Sequence, residues 1–224
     1  MRLNGEQLPE FCFTTIMNAE MEQHDYISLV PKQYTGKEIE ARDYVELEDE
    51  NEAMSFYEII KGRLLNVNNW HQLAGVISAR FQLVDTEGNK VDRFPQIGDY
   101  LRIDIPGPGS KEGDGFDWAR VEEINEVNDG EIQSIGFCVR PSHNPLGDKS
   151  KTSHFYSDES TGSFIVTREK NRISSWIIDR NIKPNDEAES LTDKIRDVAV
   201  GMGAMGKFSE IQWQNLASGI IRKE

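Results

Sequence analysis

The feature that most constrains this chain is a succession of strand-like segments, punctuated by turn signals, that fills residues 76–179. "VISARFQLVD" is rich in β-branched and aromatic residues and stops at "TEGN". "GDYLRIDI" alternates, with Leu101, Ile103 and Ile105 on one face and Arg102 and Asp104 on the other. "FDWARVEEINEV" and "EIQSIGFCVRP" flank Asp129-Gly130, a tight-hairpin pair because both residue types tolerate the positive φ that such turns need. "GSFIVTREKNRISSWIID" reads as another hairpin, turning at Lys170-Asn171 and setting Glu169 opposite Arg172. Six consecutive strands with short links at several turns predict an antiparallel meander.

Helical patterns flank the strands. Phe56, Ile59, Ile60 and Leu64 fall at i, i+3, i+4 and i+8, which predicts an apolar helix face. The acidic run "ELEDENE" before it suits the positive end of the helix dipole. Gly62 and the asparagines of "NVNNW" predict a break and a second short helix toward Leu73. Near the C-terminus, Leu191, Ile195, Val198 and Met202 form one stripe, and "GMGAMGKF" is expected to break it. Ser209 with Gln212 has the spacing of a capping box. Trp213, Leu216, Ala217, Ile220 and Ile221 form a second stripe, expected to pack on the sheet.

These elements predict an α+β fold: a curved antiparallel meander of about six to seven strands, packed against N-terminal and C-terminal helices. Residues 45–224 are expected to form one domain. Residues 1–44 are set apart as an N-terminal extension of uncertain structure, in which "DYISLVP" and "ARDYVEL" each have strand character. With one early strand the order becomes strand, paired helices, six strands, helix. By element order over about residues 40–224, this resembles the helix-grip fold of the START and Bet v 1-like proteins. That resemblance implies a sheet wrapped around a C-terminal helix and a ligand cavity between them. The glycines of "GMGAMGKF" and the extra N-terminal residues depart from the pattern.

Charge narrows the function classes. The net charge is −14, and residues 1–52 hold 4 Lys and Arg against 13 Asp and Glu. Phosphate binding needs clustered Lys and Arg, and no cluster is present, so nucleic acid and anionic membranes are disfavoured as partners. The start of the sequence lacks the apolar core of a signal peptide, and no run approaches the roughly 18 apolar residues of a membrane span. A cytoplasmic location is the expectation. Cys12 and Cys138 make no disulfide framework and no C-x-x-C motif.

No motif of high specificity is present. "GPGSKEGDG" has glycines, but Gly109 and Gly113 are wrongly spaced, Lys111 precedes Gly113 and a strand follows, which fails the phosphate-loop pattern. Glu112, Asp114 and Asp117 lack the alternate spacing of a calcium loop. His143 and His154, eleven apart, are no zinc signature. No cofactor and no metal site is expected. Cys138 lies mid-strand, where buried thiols are structural, and there is no G-x-S-x-G elbow.

The meander itself locates a candidate site. Successive connections alternate between the two ends of the sheet. Residues 106–115, 141–163 and 180–185 and the helix-to-strand junction near 70–75 therefore share one end, with His71, His143 and His154 among them. Long loops on a rigid scaffold are where sites concentrate. Trp70, Trp118 and Trp176 are candidates to line a pocket there. Arg120, Arg140 and Arg180, at the same strand ends, have the chemistry to orient a carboxylate.

The functional expectation is a small, partly apolar or amphipathic ligand bound at this end, with candidate contacts Trp70, His71, Asp117, Trp118, Arg140, His143, His154 and Arg180. Two alternatives stand beside it. One is an enzyme of hydrolase or isomerase type, using His143 or His154 with Asp117 as an acid–base pair. The other is a protein-interaction module acting through the acidic N-terminal segment. Homo-oligomerisation is left open.

Overall fold

Seven antiparallel strands form one sheet in the order β1-β7-β6-β5-β4-β3-β2, so every sequential pair from β2 onward is adjacent and the first strand closes onto the last. The computed structural model describes residues 29–75, 78–105, 113–185 and 195–223, with the backbone alone for 195–205. The strands are β1 (Lys37–Glu46), β2 (Arg80–Val84), β3 (Tyr100–Asp104), β4 (Asp117–Asn128), β5 (Ile132–Pro141), β6 (Thr161–Glu169) and β7 (Arg172–Ile182). Among the described residues there are three α-helices: α1 (Glu50–Leu65), α2 (Trp70–Ala74) and α3 (Ile195–Ile220). The architecture is α+β with a curved sheet, in the order strand, two helices, six strands, helix. A register shift between Val121 and Glu123 inserts an extra residue into β4, and bulges of this kind bend a strand.

The hairpins follow their turn residues. Gly130 takes φ 92° between β4 and β5, and Lys170 takes φ 54° between β6 and β7. Glu169 pairs with Arg172 across the second turn. Buried Arg168 stitches the two turns together, donating to the carbonyls of Lys170 at 2.9 Å and Gly130 at 2.6 Å.

The acidic run before α1 acts locally. Asp49 is the N-cap and accepts from the Glu52 amide at 2.9 Å, while Glu50 and Glu52 occupy the first turn. The buried face of α1 is Ala53, Tyr57, Ile60 and Leu64, whereas Ile59 is 52% exposed. The expected face is therefore rotated: Tyr57, not Ile59, turns inward. Gly62 does not break α1, because an interior glycine costs only about 1 kcal/mol. The break comes at Asn66, and Trp70 opens α2 after one 3₁₀ turn.

Three further expectations need adjustment. The sheet begins at Lys37, inside the segment 1–44, because residues 37–46 pair with β7 along nearly their whole length. "ARDYVEL" is thus a structural strand; most of "DYISLVP" lies outside the described residues. "GMGAMGKF" does not end a helix, since α3 runs unbroken from Ile195 to Ile220. Burial of its C-terminal stripe outweighs the glycine penalty: Leu216, Ala217 and Ile220 are fully buried. Ser209 consequently sits mid-helix and caps nothing. Leu191 and the side chains of Ile195, Val198 and Met202 lie outside the described residues.

The two faces of the sheet are filled differently. The concave face carries the main core, where Ile135, Phe137, Phe164, Val166 and Ile177 meet α1, α2 and α3. Trp70, fully buried, packs 4.7 Å from Phe164 and 5.9 Å from Phe137, ring centre to ring centre. On the convex face, residues 29–36 cross the sheet. Ser163 Oγ donates to Leu29 O at 2.7 Å, and the Asn181 side chain holds Tyr34 N and Lys32 O. Leu29 thereby covers Cys138 and Ile165. No helix among the described residues is long and apolar enough to cross a membrane.

Candidate functional site

Between the concave face and α3 lies a cavity at the end of the sheet that holds the long connections. Its floor is Phe81 and Phe164, its walls come from β3, β4, β5, β6 and β7, and Phe208 and Trp213 of α3 close the side opposite the sheet. The cavity volume is about 80 Å³, and about 740 Å³ when the open mouth and the gaps between lining atoms are counted. That is a slender space, several waters deep. Leu101 and Ile103 of β3 and Ile105 just beyond it, an alternating set, all line it.

A strap formed by residues 152–157 crosses the top. It hangs between two strands: Trp118 N donates to Ser153 O at 2.8 Å, Ser157 N to Lys183 O at 2.9 Å, and Asn185 N to Phe155 O at 3.0 Å. The long connection is therefore hydrogen-bonded into the sheet. It presents His154, Phe155 and Tyr156 to the cavity.

Four ionisable side chains line the space. Asp117, at the start of β4, accepts from Phe155 N at 3.0 Å, which ties β4 to the strap. His154 Nδ1 accepts from Tyr156 N at 2.9 Å. A backbone amide can only donate, so the ring proton is on Nε2 and the imidazole is neutral. Burial agrees, lowering the His154 pKa; the nearby Asp117 carboxyl works in the opposite direction. The 3.8 Å approach of Asp117 Oδ2 to Nδ1 is therefore a polar contact rather than an ion pair. Burial pushes the Tyr156 hydroxyl up to about 12, and that hydroxyl lies 3.3 Å from Ser209 Oγ.

The fourth group is Asp179 of β7. It is buried, and Trp213 Nε1 donates to its Oδ2 at 2.7 Å. Among the described residues Trp213 is its only polar partner. Burial pushes its pKa up to about 7, against the smaller opposing effect of the Trp213 hydrogen bond. Gln212 of α3 fastens the adjacent wall by accepting from Ala79 N at 2.7 Å. None of the described residues lining the cavity is Lys or Arg.

Of the eight expected contacts, the structure brings Asp117 and His154 to this cavity and places the other six elsewhere. Trp70 lies beneath the floor, with its Nε1 donating to Leu64 O at 2.9 Å. His71 lies on α2, outside the lining. Trp118 follows Asp117 and so projects from the opposite face, packing with Val84 and Tyr100. His143 joins Tyr100 on that side at 3.1 Å, Nε2 to hydroxyl, and burial lowers its pKa. Arg140 binds Glu122 at 2.9 Å, and Arg180 pairs with Glu38. Trp176 stands on the convex side with Arg42 over its ring. Residues 106–112 of the glycine-rich connection lie outside the described residues; Gly113 to Gly115 form the turn into β4.

Asp179 and Tyr156 were not among the expected site residues, and Ser209 and Trp213 were expected only as a helix cap and a core residue. Asp179 carried a signal: it continues the inward-facing row of Ile173, Ser175 and Ile177, where an acid is out of place unless it is used. Tyr156 and Ser209 carried none, because a loop path and a helix rotation set their positions. Cys138 is buried on the convex side, and burial pushes its thiol up to about 11, the behaviour of an inert core cysteine.

No protein-family model matches this chain, and no curated protein sequence does. Solved structures with a similar course of the chain include a hypothetical protein of Helicobacter pylori, at 12% identity over 97% of each chain with a TM-score of 0.45. A protein of Thermus thermophilus aligns at 11% identity over 83% of this chain and 97% of its own, TM-score 0.35. Truncated norcoclaurine synthase from Thalictrum flavum aligns at 8% identity over 87% and 100%, TM-score 0.33. These are likenesses at low identity and modest score.

Proposed function

We propose that this protein binds a small, mainly apolar molecule in the cavity between the concave face and α3. The observation that carries this reading is the cavity's composition. Its walls are aliphatic and aromatic, and a few polar groups, Asp117, His154, Tyr156 and Asp179, converge on it. Pockets that hold small molecules have this make-up: apolar area for affinity and few fixed polar groups for orientation. Asp117 and His154 were expected contacts from the sequence; Asp179 and Tyr156 join them at the cavity.

The test is a titration with N-phenyl-1-naphthylamine, a neutral dye that fluoresces in apolar surroundings. Ala119 lines the cavity, and Ala119→Leu fills part of it. Saturable binding by the wild type, weakened at least tenfold in Ala119→Leu, is expected. Equal binding by both proteins would place the dye elsewhere and overturn the reading.

A second reading, acid–base catalysis in the same cavity, draws on Asp179. A carboxyl held near pH 7 exchanges protons readily at neutral pH, and such groups concentrate in active sites. Of the two pairings expected with Asp117, that of His143 falls away because His143 lies on the other side of the sheet; His154 stays beside Asp117, at 3.8 Å, and Asp179 joins them. A compound recovered unchanged after long incubation with the protein favours binding; a converted one favours the enzyme.

A further inference from the structure

We infer that the cavity selects, among apolar molecules of similar size, those carrying a protonated amine, and that Asp179 receives the ammonium group. This rests on the binding proposal and narrows its ligand class.

Three observations converge. First, Asp179 is a buried acid with one polar partner among the described residues, Trp213 Nε1. A carboxyl offers about four acceptor sites, so most of its capacity is unused by those residues. A buried charge needs a counter-charge, and no described lining residue supplies one. A ligand cation would do so.

Second, room exists beside the carboxyl. Gly162 is the register partner of Asp179 on β6. A Cβ there would stand 3.1 Å from Asp179 Oδ1 and 3.5 Å from Phe164 Cε2 and Val139 Cγ2. Glycine leaves that space open. Its φ is not in the left-handed region, so backbone strain does not require glycine here.

Third, the surroundings suit a cation on an apolar body. Phe164 and Trp213 meet edge to face at 5.3 Å, and Phe81 lies 6.0 Å from Trp213. Aromatic faces attract ammonium groups, and more strongly where water is excluded. Carboxylate ligands meet the reverse situation, since Asp117 and Asp179 both face the cavity.

Binding is then linked to protons. The groups around Asp179 are Ile39 from β1, Gly162 from β6, Trp213 and Ser209 from α3, and Tyr156 from the strap, with Asp117 and His154 across the cavity. Glu210 lies near Tyr156, and Arg180 is turned to the opposite face with Glu38. Below about pH 7 the free protein holds a proton on Asp179. An ammonium ligand stabilises the ionised form and expels that proton. Above pH 7 nothing is left to expel.

The experiment compares octylamine, octanol and octanoate as competitors of N-phenyl-1-naphthylamine, at about 150 mM salt so that the overall charge of −14 is screened. Octylamine is expected to bind at least tenfold more tightly than octanol, and octanoate most weakly. Calorimetry at pH 6 in two buffers of different ionisation enthalpy is expected to show release of close to one proton per octylamine and none with octanol. Asp179→Asn should bring octylamine to the affinity of octanol and abolish proton release. Gly162→Ala should weaken octylamine more than octanol. Equal affinity of octylamine and octanol for the wild type, or a preference that survives in Asp179→Asn, overturns the inference while leaving the binding proposal intact. Failure of the dye and of all three compounds to bind overturns both.

Discussion

Trp213 Nε1 donates a 2.7 Å hydrogen bond to Asp179 Oδ2, joining the C-terminal helix to the last strand beside the cavity. The bond partly satisfies an acid that the sheet has carried out of water. Because burial dominates, the folded protein holds this proton more tightly than the unfolded chain does. A raised folded pKa favours folding at low pH, and that contribution is lost as pH rises from about 4 through about 7.

Asp179→Asn should therefore stabilise the protein in alkali. Asparagine keeps an acceptor for Trp213 and cannot ionise. A carboxyl moved from 3.8 to about 7 costs the fold on the order of 4 kcal/mol once ionised. Thermal melts at pH 8 should show a Tm several degrees above wild type, with the difference vanishing at pH 4. A variant that melts at or below the wild-type temperature at pH 8 would contradict the account of Asp179.

His154 works in the opposite direction. Its folded pKa is depressed by burial, so its contribution is complete above about pH 6.5 and is lost as pH falls below that. His154→Asn retains an acceptor near the Tyr156 amide without a titrating ring. Denaturant midpoints at pH 7.5 and pH 5.5 should differ less in the variant than in the wild type. Identical losses would mean that His154 is not held neutral.

Two glycines of α3 should respond with opposite signs. A Cβ at Gly206 meets nothing within 4 Å, so Gly206→Ala should stabilise by about 1 kcal/mol through helix propensity. A Cβ at Gly219 would stand 2.2 Å from Leu73 O, in the contact between α3 and α2. Gly219→Ala must push the helices apart and should cost roughly 1–3 kcal/mol despite the better propensity. Chemical denaturation of the two variants reads the signs; a stabilised Gly219→Ala would mean that the two helices do not touch there.

Filling the cavity should stabilise the fold as it blocks binding. Ala119→Leu adds apolar volume to a space that holds no described side chain, and cavity filling contributes about 0.5–2 kcal/mol. A Tm at or above wild type is expected, together with the loss of dye binding. A marked loss of stability would show that the space is too narrow for the added carbons.

Much of the scaffold was legible because it is local. The six consecutive strands, the turns at Asp129-Gly130 and Lys170-Asn171 and the Glu169–Arg172 pair depend on residues close in sequence. So does the start of α1, where Asp49 caps a helix whose first turn is acidic. Where the reading failed, distant contacts prevailed. Helix α3 crosses its glycines because its C-terminal end is clamped against the sheet and α2. Lys37 to Tyr44 join the sheet because β7, far along the chain, offers them an open edge.

The order of residues alone sets which connections share an end of the sheet, since an antiparallel meander sends alternate connections to opposite ends. It also requires Asp117 and Trp118 to point in opposite directions, because side chains alternate along a strand. Which of the two faces the cavity depends on how distant elements pack. The side on which α3 lies becomes the interior, and that choice kept Asp117, carried Trp118 and His143 to the other side, and turned Asp179 inward. Burial then set the chemistry: the same carboxyl in water would ionise near 4, and beneath α3 it holds its proton to about 7.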